Sequence, residues 1–375
     1  MVRPASAPRA TYRVQLHAGF TFDDAASIVP YLSELGVSHL YASPVLQAAP
    51  GSTHGYDVVD HAVVSAELGG ADGLERLTDA LRAHGMGLVL DIVPNHMSIA
   101  GEENRWWWDV LERGPASQHA AAFDVDWSSG SIVLPVLPGD GRAAIRLVRE
   151  GERVVVAHED RRFPLDPATL PQGIDADEIA GINGDSDRLD RLLAKQHYRL
   201  ASWRSAFEDL AYRRFFDVNE LIGLRVEDPA VFAETHRLIL GWVAGGLVDG
   251  LRIDHPDGLR DPAAYLARLR AAAPGAWIVV EKILGPDEEL PATWPIDGTT
   301  GYRFANLATG LFVDPAGEAG MSAAWAAVAD VGPGWDQVVS RAREEVLSTL
   351  LGSDLNRLTD LLAQVWAGDR GPAAP

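Results

Sequence analysis

A chain of 375 residues with 32 basic and 53 acidic side chains carries a formal charge of −21; that charge repels phosphate backbones, and no local basic patch offsets it, which argues against nucleic-acid binding. A hydrophobic content of 47% supports a large core rather than disorder, and the absence of cysteine excludes disulfides, thiolate nucleophiles and cysteine metal sites. No signal-peptide core and no apolar run of membrane-spanning length is present, so a cytoplasmic protein with no membrane partner is expected.

In chain order, "TYRVQLH" (Thr11–His17) reads as a strand and "FDDAASIVPYLSELG" as a helix, with an acidic start and a C-terminal glycine at Gly36. "VSHLYASPV" reads as a second strand, "GGADGLERLTDALRAHGMG" as a helix and "LVLDIVPNH" (Leu88–His96) as a third strand. The alternation then stops for about 150 residues, far beyond an ordinary connection. Within that interval, "SIVLPVLPGDGRAAIRLVREGERVVVAHEDRRFPL" reads as antiparallel strands joined by Gly-Asp-Gly and Glu-Gly-Glu turns, and helices are expected over Asp187–Glu208 and Asp228–Val243. "LVDGLRID", "DPAAYLARLRAAAPG" and "AWIVVEKIL" resume as strand, helix and strand; a sixth strand is expected near "TTGYRFAN", with helices from Ala324 to Val365. The pattern predicts an α/β chain forming a TIM-type (β/α)8 barrel, incomplete at about six strands, with an inserted subdomain after strand 3. Its expected parts are 1–96 (barrel), 97–208 (insertion), 209–365 (return to the barrel) and 366–375 (mobile tail).

Catalytic groups of parallel barrels sit at the C-terminal ends of strands. Here those ends carry His17; Tyr41 and Ser43; Asp91, Asn95 and His96; Arg252, Asp254 and His255; and Glu281 and Lys282. One such residue alone is explained by helix capping or ion pairing, but five strands ending this way are not. Asp254 and Glu281, on successive strands, are the sharpest pair, since carboxyl groups about 5 Å apart suit a retaining glycosidic mechanism. Arg252, two residues before Asp254 and on the same face, is expected to depress its pKa, while desolvation after "WIVV" is expected to raise that of Glu281. Tyr56 can stack on a sugar face and His96 can donate to a hydroxyl. Of the three tryptophans in "NRWWWDV" (Asn104–Val110), some are expected in the core and at most two beside the cleft.

"DIVPNH", "GLRIDHPDG" and "EKIL" resemble the first three conserved regions of the α-amylase family. "YRVQLHAGFTFDDAASIVPYLSELGVSHLYASP", "GSTHGYDVVDH", "YRRFFDVNELIGLRVE", "GLRIDHPDGL" and "DGTTGYRFAN" narrow the resemblance to its maltooligosyltrehalose synthase branch. The resemblance implies Asp254 as nucleophile, Glu281 as acid/base and Arg252 as the residue orienting Asp254. It places Tyr56, Asp57, Asp91 and His96 around the sugar being cleaved, and His255 and Asp257 near the acceptor glucose. It implies isomerisation of a maltooligosaccharide's reducing-end link to an α,α-1,1 link; no cofactor is expected, and the sequence demands no metal, although a calcium near Asn95 would fit the wider family. A maltooligosyltrehalose trehalohydrolase is the implied pathway partner.

The family's third carboxylate, an Asp following a His, has no match after Glu281; the last His is His255, and Asp297, Asp314, Asp330, Asp336 and Asp354 lack its context. The expectation is therefore a chain that stops inside its catalytic domain and is inactive alone. The competing expectations are an α-amylase-family hydrolase or glucanotransferase, a non-catalytic glucan-binding protein, and, least supported, a metal-dependent barrel hydrolase.

Overall fold

The computed structural model describes residues 7–369 other than 140–143, 172, 209, 286 and 330–333. Its contacts fall into two units: Met1–Ala206, Leu210–Lys282 and Pro291–Thr300 make the first, and Phe207–Asp209, Ile283–Leu290 and Gly301–Pro375 the second.

The first unit begins with β1 (Thr11–Val14), α1 (Phe22–Ser27), α2 (Val29–Glu34) and β2 (His39–Ala42). The single helix expected over 22–36 breaks at Ile28, because Pro30 at the start of α2 has no N–H to continue the ladder. Gly36 closes α2 with φ +89°, a conformation that favours glycine. Strands β3 (Leu46–Ala48) and β4 (Val58–Val64) form an antiparallel pair that sequence reading missed, followed by α3 (Gly70–Ala83) and β5 (Gly87–Ile92). Past β5 come β6 (His96–Ser98) and α4 (Arg105–Arg113); Trp107 is core, edge-on to Phe123 at 5.3 Å, whereas Trp106 stacks on His119.

Strands β7 (Ile132–Leu137), β8 (Ile145–Glu150), β9 (Arg153–His158) and β10 (Arg161–Pro164) follow. Only β8, β9 and β10 form the expected antiparallel set, with Gly151 at φ +60° in the β8–β9 hairpin. The Gly-Asp-Gly turn falls partly on 140–143, outside the described residues, and β7 does not pair with β8. After α5 (Ala176–Asn183) and α6 (Ser186–Leu193), the chain turns into β11 (Tyr198–Ser202), which lies parallel to β7 with Tyr198 opposite Ile132. The helix expected over Asp187–Glu208 therefore ends at Leu193. Burial of the Tyr198 ring, whose hydroxyl donates to the Pro164 carbonyl at 2.8 Å, outweighs local helix propensity there.

Strands β12 (Arg214–Phe215) and β13 (Val218–Gly223) pair antiparallel, and β13 also pairs with β6. Helix α7 (Pro229–Ala244) is capped by Asp228, β14 (Gly250–Ile253) follows, α8 (Pro262–Ala272) is capped by Asp261, and β15 (Trp277–Val280) and β16 (Gly298–Thr299) end the unit. The main sheet is parallel throughout, in the order β1-β2-β5-β14-β15-β16, with β1 and β16 at its edges. Its central strands are buried on both faces, which explains their unbroken apolar character. Because β5 pairs directly with β14, everything between them intervenes between neighbouring strands of one sheet.

The second unit contains α9 (Tyr302–Gly310), α10 (Glu318–Val328), α11 (Trp335–Ser348) and α12 (Gly352–Asp369). Its apolar side chains are largely exposed, Phe312 at 91%. The sixth strand expected near "TTGYRFAN" is the two-residue β16, and α9 takes most of that motif. Helix α12 continues through 366–369, where a tail was expected; 370–375 lie outside the described residues. Among the described residues no helix is long and apolar enough to cross a membrane.

Candidate active site

Register aims the site. Asp91 on β5 lies opposite Arg252 on β14, which lies opposite Val279 on β15. Side chains two residues apart on a strand share a face, so Asp254 points with Arg252 and Glu281 with Val279. The strand continuations hold this alignment: the Asp254 N–H donates to the Ile92 carbonyl and the Glu281 N–H to that of Ile253, both at 2.9 Å.

Arg252 sits between three carboxylates. Its Nη1 donates to Asp91 Oδ1 and Asp254 Oδ1, each at 2.7 Å, and its Nη2 lies 3.0 Å from Glu281 Oε1. The other oxygen of Asp91 accepts the hydroxyls of Tyr56 at 2.6 Å and Tyr41 at 2.9 Å. Glu281 Oε2 accepts the His255 N–H at 3.2 Å. Among the described residues no three His, Asp or Glu side chains are grouped to hold a metal ion.

The low pKa expected for Asp254 is not what the geometry produces. Burial is the largest influence on Asp254 and pushes it up to about 7; the Arg252 guanidinium pulls it down, while Asp91 and Glu281 add like-charge repulsion. Arg252 cannot hold Asp254 low because its one charge is divided among three carboxylates. Burial raises Asp91 as well, against the pull of Arg252. Burial thus raises both Asp254 and Asp91 against the pull of the shared guanidinium.

His96 is buried, which drives its pKa down to about 3 and keeps the ring neutral. Its Nε2 lies 3.2 Å from the Tyr56 carbonyl and its Nδ1 3.4 Å from the Asn95 amide, so this network assigns the proton to Nε2. Both ring nitrogens are engaged; donation to a sugar hydroxyl, as expected from sequence, requires the bond to Tyr56 to be given up.

His255 and Asp257 stand beyond β14 on a short 3-10 turn, Pro256–Gly258. His255 has φ +45°, a strained conformation for a residue with a Cβ, and Asp257 pairs with Lys282 at 3.1 Å. Asp57 stays in the loop before β4, accepting from the Ser52 hydroxyl at 2.5 Å. Sequence reasoning assigned no role to Arg13, whose Nη2 donates to the Tyr56 hydroxyl at 3.1 Å, nor to Phe215, whose ring lies 4.6 Å from His96 and 4.9 Å from His255. The available signal was Arg13's position four residues before His17, at the end of the stretch read as strand 1, and the double Phe in "YRRFFDVN".

The α-amylase catalytic-domain model matches residues 24–128. The chain is 47% identical over 322 residues to a putative maltooligosyl trehalose synthase of Mycobacterium tuberculosis, covering 84% of this chain and 40% of that protein. The structure of maltooligosyltrehalose synthase from Arthrobacter ramosus matches with a TM-score of 0.84 and 47% identity, over 93% of this chain and 44% of that one. A hypothetical maltooligosyl trehalose synthase of Sulfolobus tokodaii matches with a TM-score of 0.83 and 36% identity, over 96% and 46% respectively. The chain thus spans less than half the length of these relatives.

Proposed function

Since the chain belongs to the α-amylase family, on its maltooligosyltrehalose synthase branch, we propose that it supplies the nucleophile and the acid/base of an intramolecular transglycosylation. Asp254 attacks the anomeric carbon of the penultimate glucose of a maltooligosaccharide, and Glu281 gives its proton to the departing terminal glucose. That glucose stays bound and turns. Its anomeric hydroxyl, deprotonated by Glu281, attacks the glycosyl-Asp254 ester and forms the α,α-1,1 link. Each step inverts the anomeric carbon, so the overall configuration is retained.

One observation carries the reading: a single guanidinium within 3.0 Å of Asp91, Asp254 and Glu281. A nucleophile and an acid/base held beside one positive charge support the pairing of Asp254 with Glu281. Tyr56, with its hydroxyl committed to Asp91, presents its ring face to the sugar; Asp57 and His96 complete the donor side, and His255 and Asp257 face the acceptor. The segment 97–208 acts as a cover that limits water. The 375 residues alone are proposed to be inactive, because among the described residues both edge strands of the sheet keep an unpaired side. The product would pass, in the cytoplasm, to a trehalohydrolase.

Maltopentaose incubated with the full-length protein tests this. Loss of reducing ends with little free glucose is expected; persistent reducing ends or mainly glucose release would instead indicate an α-amylase-like hydrolase or glucanotransferase. Robust turnover by the 375-residue chain alone would overturn its proposed inactivity.

A further inference from the structure

The motif "YRRFFDVN" helped to identify the branch, yet the reaction above uses none of its residues. Its second residue, Arg213, follows the fully buried Tyr212 and carries a guanidinium with four acceptors on four separate segments. Nε donates to Asp124 Oδ2 at 3.1 Å, Nη1 to Asn95 Oδ1 at 2.6 Å and to the Gly258 carbonyl at 3.1 Å, and Nη2 to the Leu224 carbonyl at 2.7 Å. We propose that Arg213 is a positioning residue that ties the two rims of the cleft together, setting His96 through Asn95 and the Glu281 carboxylate through the turn that ends at Gly258.

On one rim, Arg213 takes the amide oxygen of Asn95, which turns the Asn95 NH2 toward His96 Nδ1. With Nδ1 accepting, the proton of the neutral ring stays on Nε2. On the other rim, the Gly258 carbonyl is the last of a turn that begins at His255, whose N–H holds Glu281 and whose strained φ needs an anchor. Asp257, in the same turn, pairs with Lys282 beside Glu281.

Two glycines make room for this arrangement. A Cβ at Gly223 would stand 2.5 Å from Arg213 Cζ, and one at Gly258 would stand 2.8 Å from Asn95 Oδ1 and 2.3 Å from His255 Cδ2. Lysine cannot substitute, because a single ammonium on a flexible stem cannot address four acceptors in a planar fork.

The kinetic consequence rests on the roles proposed for Asp254 and Glu281; the effect on His96 does not. In the full-length protein, R213M, R213K and G223A are each expected to lower kcat on maltopentaose about 100-fold, the scale of a misplacement of about 1 Å. Added guanidinium or ethylguanidinium ion is expected to restore part of the activity of R213A but none of that of D254N. Ring signals of 15N-labelled His96, which need no turnover, are expected to report a single Nε2-protonated form in the parent and a tautomer mixture in R213M. If R213M does not fold, G223A keeps the guanidinium and displaces it by one methyl group. The proposal is overturned if folded R213M or G223A keeps kcat within about threefold of the parent. It is equally overturned if activity is lost without rescue while the His96 tautomer is unchanged. Should the parent prove not to be a synthase, the His96 signal alone decides.

Discussion

The two sides of the Arg252 guanidinium are built differently. On the Nη1 side, the Asp91 and Asp254 side chains are 0% and 9% exposed, and Asp91 is fixed by two tyrosine hydroxyls in addition to the guanidinium. On the Nη2 side, Glu281 is 24% exposed and is bonded to the backbone N–H of a strained turn. The first side suits carboxyls whose positions are fixed; the second suits a carboxyl that must reach a substrate. The contrast teaches that roles within a carboxylate cluster follow from how firmly each oxygen is held and how far solvent reaches it.

The largest effects should come from breaking the pair itself. D254N and E281Q are each expected to lower kcat on maltopentaose by about 10⁴-fold. With α-maltosyl fluoride, whose leaving group needs no proton, E281Q should recover glycosyl transfer and D254N should not; equal recovery would show the two sides to be interchangeable. A smaller effect tests the fixed side: Y56F leaves Asp91 its bonds to Tyr41 and Arg252, so a loss of about tenfold is expected, while Y41F with Y56F should lose more than the sum of the single changes.

The smallest effect is one of stability. Asp254 has a folded-state pKa of about 7, above the unfolded carboxylate value near 4, so the folded state binds the proton more tightly. The stability this contributes is present below about pH 4 and is lost as the pH rises through 7. D254N does not titrate and should unfold a few degrees above the parent at pH 8, with the gap closing toward pH 4. A gap that widens toward pH 4 would mean that Arg252 does control Asp254 after all.

The strands at Gly87–Ile92, Gly250–Ile253 and Trp277–Val280 were legible because burial on both faces leaves continuous apolar runs, and α7 and α8 because Asp228 and Asp261 announce them. The β7–β11 pairing was not legible: it joins Ile132 to Tyr198, and nothing local to either segment names its partner. Residue type and strand register were enough to nominate Arg252, Asp254 and Glu281. Burial and the sharing of one charge among three acids depend on the folded packing, so Asp254 was expected to be low when burial raises it. Arg213 escaped for the same reason, since its acceptors lie on segments distant in sequence, two of them backbone carbonyls that carry no residue identity.

The left-handed backbone at His255 restricts how this cleft can be re-engineered. A combinatorial library at position 255 would be narrowed before any sugar is encountered, because beyond glycine few residues, chiefly Asn and Asp, adopt φ near +45° at low cost, and β-branched replacements would disturb the amide that holds Glu281. Asp257 lies on the same turn without a positive φ, and its side chain is 53% exposed. On the acceptor role proposed for Asp257, substitutions are better made at 257, with 255 held as a fixed element of the scaffold.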